Sequence, residues 1–234
     1  MDIGSALADT LHLLVTLDSD LLQIVGLSLW VSGWAVVIAA LVGVPLGALV
    51  AISRFPGRFA VVVALNAMMG LPPVVVGLAL YLLLSRAGPL GPLGILYTPT
   101  AMIIAQAVLV VPIIAALSRQ TIEDLKVEYE DQLRVFGIGA WGTISTLIWD
   151  ARYSLLTALL AGFGRAVAEV GAVIIVGGNI NHVTRVMTTT IALETSKGNL
   201  ALAMALGVVL VTIATAVNAL VFSLRQTATR SAYA

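Results

Sequence analysis

The 234-residue chain has no cysteine and little charge, with 10% of its residues Asp, Glu, Lys or Arg. The first absence removes a disulfide framework, a thiolate metal site and a cysteine nucleophile. The second removes a water-facing surface, since soluble domains carry about 25% charged residues. Charge of one sign does not prevail either. Twelve Lys and Arg balance twelve Asp and Glu, so the basic excess that draws a protein to nucleic acid is missing. His12 and His182 are the two histidines and lie far apart. What abounds is apolar matter: 60% hydrophobic residues and a mean hydropathy of +1.06. This is the composition of an all-α integral membrane protein in a cell membrane.

The spacing of charges counts the crossings. Arg and Asp cost several kcal/mol at a bilayer centre, and a helix needs about 20 apolar residues to span one. Between Asp20 and Arg54 lie 33 uncharged residues, between Arg58 and Arg86 27, between Arg86 and Arg119 32, and between Lys197 and Arg225 27. A further apolar stretch, 153–176, is interrupted by Arg165 and Glu169 alone. Five spans follow, at about 27–52, 59–84, 97–117, 153–176 and 200–224.

The first twenty residues lack a basic region and carry Asp2, Asp9, Asp18 and Asp20, so they do not read as a cleaved signal peptide. The stretch Leu11–Leu17 is too short to cross and is expected to form an interfacial helix. With the N-terminus outside, Arg54, Arg58, Arg119, Lys126, Arg134, Arg152, Arg225 and Arg230 fall inside, against Arg86, Arg185 and Lys197 outside. The positive-inside bias therefore gives an N-out, C-in chain. It divides into an extracytoplasmic segment 1–20, a transmembrane domain 21–224 with an inner loop 118–150, and a cytoplasmic tail 225–234.

That loop is unusual. Residues 118–134 hold eight of the 24 charged residues. Within and just beyond them Ile122, Leu125, Tyr129, Leu133 and Phe136 recur at helical spacing. Thr121 with Asp124 resembles a capping box at the start of a short amphipathic helix, and Gly137 suits its end. One reading lays this helix on lipid headgroups. Its polar face is more acidic than basic, whereas lipid-surface helices favour Lys and Arg. The alternative is a helix that offers Tyr129 and Phe136 to a groove on a partner.

Asp131-Gln132-Leu133-Arg134-Val135-Phe136-Gly137, followed by Trp141 and Ile148-Trp149-Asp150, resembles the EAA loop of ABC-importer permeases. Asp131 stands at the usual Glu and Gly137 at the Gly, while Gln132 and Leu133 replace two alanines. Leu71-Pro72-Pro73-Val74-Val75-Val76-Gly77, Gly88-Pro89-Leu90-Gly91, Phe163-Gly164-Arg165-Ala166, Glu169-Val170-Gly171-Ala172 and Gly178-Asn179-Ile180 are similar to the molybdate- and tungstate-type permeases. The stretch from Met187-Thr188-Thr189-Thr190 to Ser196-Lys197-Gly198 is similar to the tungstate-specific branch.

The resemblance implies a type I ABC-importer fold and a homodimer for uptake of tungstate or, next, molybdate. It implies two separate ATP-binding cassette subunits that use ATP and Mg²⁺, an external oxyanion-binding protein, and no cofactor or metal on this chain. It makes Tyr129, Glu130, Asp131, Leu133, Phe136 and Gly137 the ATPase-coupling residues.

Pathway candidates come from polar or broken positions within spans. Pro72 and Pro73, flanked by Gly70 and Gly77, remove two N–H donors and kink the second span, freeing carbonyls that only protein or a water-filled cavity satisfies. Packing alone also explains such a kink. Arg165 and Glu169 lie four apart on one face of the fourth span, and an intramembrane ion pair is a functional-site hypothesis. Arg before Glu is the weaker order, so each is free to bond backbone or a neighbouring helix instead. Bracing and direct anion contact both remain open. The polar stretch 177–199, with Asn179, Arg185, Thr188 and Thr189, reads either as an outer gate or as an ordinary external loop. Asn66, Gln106 and Asn218 suit hydrogen bonds between helices, and Gly43 with Gly47 suits close packing.

Other signals fail. Gly137-x-Gly139-x-x-Gly142 follows a helix with no βαβ unit, so it is not a dinucleotide fingerprint. The sequence has no Walker A motif, no His-Glu-x-x-His and no nucleophile–base set, hence no catalytic residues. Two rivals stand: a self-contained carrier or channel, which predicts inverted repeats the sequence does not display, and an ABC permease for sulfate or another anion.

Overall fold

The computed structural model describes residues 3–16, 18–137 and 139–232. In chain order the helices are α1 (Ile3–Thr16), α2 (Ser19–Ile52), α3 (Arg58–Met69), α4 (Pro73–Leu84), α5 (Pro99–Val135), α6 (Ala140–Asp150), α7 (Arg152–Val167), α8 (Gly171–Gly177), α9 (Met187–Lys197) and α10 (Leu200–Ala232), with a 3₁₀ turn at Gly91–Leu93. No strand occurs among the described residues. Among the described residues, three helices are long and apolar enough to cross a membrane: Ser19–Ile52, Pro99–Leu133 and Leu200–Leu220. The expected five is reached when the broken pairs α3–α4 and α7–α8 each count as one span.

Local chemistry sets the boundaries. Asp18 Oδ1 accepts the N–H groups of Asp20 at 3.0 Å and Leu21 at 3.3 Å, which caps α2 at its start. Pro45 and Pro112 lie inside α2 and α5 without ending them. The Pro72-Pro73 pair does more than kink a span; it separates two helices. Gly70 closes α3, Pro72 sits extended at φ −65° and ψ 122°, and Pro73 takes the first helical position of α4, where a missing N–H costs nothing. The carbonyls at this break are not left bare. Ala67 O accepts Gly70 N–H, Met68 O accepts Leu71 N–H, and Pro72 O accepts from Val75 and Val76.

The largest departure from expectation lies in α5. The amphipathic stretch is no separate helix capped at Thr121 and Asp124; it continues the third span in one 37-residue helix. Neither proline nor glycine interrupts 113–135, so every N–H there keeps an i−4 carbonyl and no cap is required. Gly137 does close it, with φ +63°, a conformation that glycine adopts without the Cβ penalty. α10 likewise continues past 224 to Ala232.

The chain forms two compact units. One comprises Met1–Ala35, Pro72–Gln106 and Gly164–Ala216; the other comprises Val36–Leu71, Ala107–Phe163 and Val217–Ala234. In the first, α4 packs closely on α8: a Cβ on Gly77 would meet Ala172 Cα at 2.8 Å, and one on Gly171 would meet Val74 Cγ2 at 3.0 Å. In the second, α2 lies on α5 as Gly43 and Gly47 suggested. A Cβ on Gly47 would strike the Ala115 carbonyl oxygen and lie 2.9 Å from Ser118 Cβ, so only glycine admits this approach. The core of this unit gathers Ala48, Ala51, Ile122, Leu147, Ala151 and Leu155.

Candidate functional site

The α5–α6 hairpin is the first candidate. Leu125, Tyr129 and Leu133 pack against the core around Ile122 and Leu147, together with Ile144 and Ile148 of α6. The apolar stripe therefore closes the hairpin on its own unit instead of offering itself to a partner. Tyr129 is half-buried and lines the hairpin's cavity together with Leu133 and Phe136. Its hydroxyl donates to the Asp150 carboxylate, and that bond with the negative charge raises the phenol above its ordinary pKa. Arg152 locks the far end of α6: its guanidinium lies 5.0 Å from the Trp149 ring centroid and 4.8 Å from that of Tyr153, and it donates to Trp149 O at 2.7 Å.

Phe136 does face outward, at 76% exposure, with Val135, Trp141 at 78%, Trp149 and Val127 also bare. Sequence reasoning placed Trp141 and Trp149 within the motif but gave them no role. The signal was their position: large aromatics in a polar interhelical segment, with no span to bury them. Glu130 stands 3.8 Å from Arg54, and Asp131 and Gly137 are exposed. Between the two helices lies a cavity of about 330 Å³ lined by Tyr129, Leu133, Phe136, Leu147, Trp149 and Asp150, among others.

The second candidate lies in the other unit, around the α7–α8 break. Arg165 Nη1 donates to Glu169 Oε2 at 2.6 Å, so the pair forms despite the unfavourable order. The order rule concerns a continuous helix, whereas α7 ends at Val167. Arg165 then sits at one helix's negative end and Glu169 before the positive end of α8. Glu169 is 3% exposed, and its other oxygen accepts Ala172 N–H at 3.2 Å. Thr188 donates to Glu169 O at 2.7 Å. Gln106 Nε2 donates to Ala166 O at 2.9 Å, the interhelical bond its position suggested, while its buried Oε1 has no partner among the described residues.

The polar stretch 177–199 divides: residues 178–183 form a mostly exposed turn, and Met187–Lys197 form a packed helix, α9. Thr188, Thr189, Thr190 and Glu194 are buried. Asn179, at φ +49°, donates to Thr189 O at 3.3 Å, and the Thr189 hydroxyl lies 2.9 Å from Asn179 Oδ1 and 3.1 Å from Val186 O. Thr190 donates to Val186 O at 2.7 Å and Thr184 to Gly177 O at 2.5 Å. Glu194 accepts from Lys197 Nζ and Asn199 Nδ2, both at 3.0 Å. Arg185 stands nearby with a buried Nε that has no partner among the described residues. From Met187 onward the stretch is therefore no ordinary exposed loop.

The sequence was compared with known proteins. Residues 43–229 match the family described as the binding-protein-dependent transport system inner membrane component, and the chain belongs to that family. It is 42% identical over 224 residues, covering 96% of this chain and 98% of the relative, to the tungstate uptake system permease protein TupB of Peptoclostridium acidaminophilum. It is 40% identical over 205 residues, 86% of this chain and 88% of the relative, to a probable anion ABC transporter permease protein of Haloferax volcanii. The TupB protein of Campylobacter jejuni is 40% identical over 159 residues, 68% of this chain and 66% of its own.

Proposed function

We propose that this inner-membrane component of a binding-protein-dependent transport system is the permease of an ATP-driven importer for tungstate, with molybdate the next anion. The anion is supported by the near full-length 42% identity to a protein named for tungstate uptake. Coupling to an ATPase rests on one observation: the α5–α6 hairpin buries its apolar stripe internally yet holds Val135, Phe136 and Trp141 bare at its tip. Exposed aromatics clustered outside any span are what a protein interface uses as anchors. Glu130 and Asp131 flank them with negative charge, which favours a groove of basic rim.

With the basic loops inside, the hairpin lies in the cytosol and α9 at the outer mouth. One chain of five spans makes half a pathway, so two copies pair about a two-fold axis, each docking one ATPase. ATP with Mg²⁺ binds to those ATPases. When they close on ATP, the two hairpins approach each other. α5, unbroken from Pro99 to Val135, carries that displacement along its axis into the membrane. The outward mouth then receives the anion from an external binding protein, and hydrolysis restores the inward state. The polar groups near the outer mouth mostly bond one another or backbone. Arg165 is neutralised by Glu169. A divalent oxyanion therefore meets no deep charged trap, and release stays fast.

The test is co-purification from cells expressing the permease with its ATPase. Wild type should retain the ATPase, and Phe136→Asp should lose it while the permease keeps its thermal midpoint; Gly137→Glu should lose it too, at some cost in midpoint, because its φ of +63° penalises a Cβ. A permease that purifies alone, or variants that hold the ATPase as wild type does, would sink the coupling assignment. Stimulation of ATP hydrolysis by binding protein loaded with tungstate, but not by sulfate-loaded protein, checks the anion.

A further inference from the structure

The turn between α2 and α3 and one face of α5 enclose a pocket of about 210 Å³, lined by Ser53, Arg54, Arg58, Glu123, Lys126 and Glu130, among others. Most of its charge is accounted for. Arg58 donates to Glu123 at 2.6 Å and through Nε to Val50 O at 2.9 Å; Arg119 also binds Glu123; Lys126 donates to Ile52 O at 3.0 Å. Four cations thus surround two carboxylates, so the cluster carries excess positive charge. Glu123 is bracketed by two guanidinium groups.

The excess resides in Arg54 and Lys126. Arg54 is 85% exposed, and its nearest carboxylate, on Glu130, lies 3.8 Å away, beyond hydrogen-bond length. Lys126 uses one of its three donors on Ile52 O. Two cations with donors to spare, at the rim of a pocket that holds a tetrahedral anion several times over, form a receptor for a phosphate-type oxyanion. The site lies where a membrane-crossing helix ends, and beside it α3 exposes Phe59 and Val63 along one face. Apolar residues next to basic ones at a span's end match the two parts of an anionic phospholipid.

We infer that this pocket binds a phosphate-type tetrahedral oxyanion, presented either on the headgroup of an anionic phospholipid or as the free ion. The side of the membrane that supplies it rests on the proposed orientation; the binding itself does not. In the first case the lipid fastens the inner end of α2 to α5. In the second a free oxyanion makes the same link between α2 and α5.

The experiment uses the full-length permease in neutral detergent, without ATP, so a failure of coupling leaves it untouched. Thermal midpoints are titrated with phosphatidylglycerol, with phosphatidylcholine, and with sodium phosphate and sodium tungstate against sodium chloride of equal ionic strength. The variant Arg54→Gln changes an exposed side chain and leaves both α2-capping cations in place. A saturable rise with phosphatidylglycerol but not phosphatidylcholine, weakened about tenfold in Arg54→Gln, assigns the site to lipid. A saturable rise with phosphate or tungstate but not chloride, weakened alike, assigns it to the free ion. No saturable rise with any probe, equal rises with both lipids, or unchanged affinity in Arg54→Gln and in Arg54→Gln/Lys126→Gln, overturns the proposal.

Discussion

Two regions of this chain, one in each unit, handle polarity in opposite ways. The unit containing α8 and α9 turns hydrophilic side chains inward: Glu169, Thr184, Thr188, Thr189, Thr190 and Glu194 are all buried. The unit containing the α5–α6 hairpin turns apolar ones outward, leaving Val127, Val135, Phe136, Trp141 and Trp149 bare. Each breaks the usual rule, and the way each is or is not compensated tells what it is for. The buried hydroxyls and carboxylates have partners, chiefly carbonyls and amides of their own unit, as burial demands. They hold a shape. Trp149 carries the Arg152 guanidinium over its ring, but Phe136 and Trp141 stand bare at the tip. They await a surface.

If that distinction is right, removing a group from the first unit should cost stability, and removing one from the second should cost assembly. The largest effect is expected at Glu169. Replacing it with Ala strips Arg165, itself 38% exposed, of its partner and the Ala172 N–H of its acceptor, a loss of about 2 kcal/mol. The thermal midpoint of the purified permease should fall by several degrees. Glu169→Gln, which can still accept from Ala172, should fall less. Equal losses would show that charge, not the cap, is what matters. Trp141→Ala should do the reverse. Its stability change should stay within about 0.5 kcal/mol, as for other exposed sites, while ATPase association weakens by about 2 kcal/mol, the size of an interface anchor. Measuring both quantities on both variants tests the contrast directly. If Trp141→Ala unfolds the permease, the bare tip is structural after all.

Much of this was legible beforehand, for reasons that also explain what was not. The candidate spans, five when each broken pair counts as one, follow from charge spacing because a charge at a bilayer centre is expensive wherever it occurs, and Arg54, Arg58, Arg86, Arg119 and Lys197 bound the apolar runs. Arg165 and Glu169 stood out for the same reason. The break between them did not: Ala168-Glu169-Val170 holds no proline, and the helix stops because Glu169 is drawn back to Arg165 and forward to Ala172 at once. The run 113–135 looked like two helices because its composition changes at Arg119. Composition governs which solvent faces a helix, not whether the backbone continues. α9 read as gate or loop because threonine is polar; its hydroxyls are spent on carbonyls within a turn or across the unit, which no periodicity shows. Tyr129 shared a stripe with Phe136, yet a stripe cannot say which end meets the chain's own core. That depended on where α6 returned.

The smallest effect sharpens the inward-turned side of the comparison. Glu194 is held below the ordinary carboxylate pKa chiefly by the Lys197 ammonium, with Asn199 adding a second bond and burial working against them. Its folded-state pKa is therefore lower than its unfolded one, near 4.3. Between the two values the unfolded chain binds more protons, so stability falls as pH falls. The contribution is complete above the unfolded value and is lost as pH drops through the folded one. Because Lys197 is half-exposed, its size should be about 0.5 kcal/mol. Thermal midpoints of wild type and Glu194→Gln, measured from pH 7 down to pH 3, should differ at the top of that range and converge at the bottom. A constant difference across it would mean that the carboxylate packs without titrating, and that the ammonium contributes nothing to holding α9 in place.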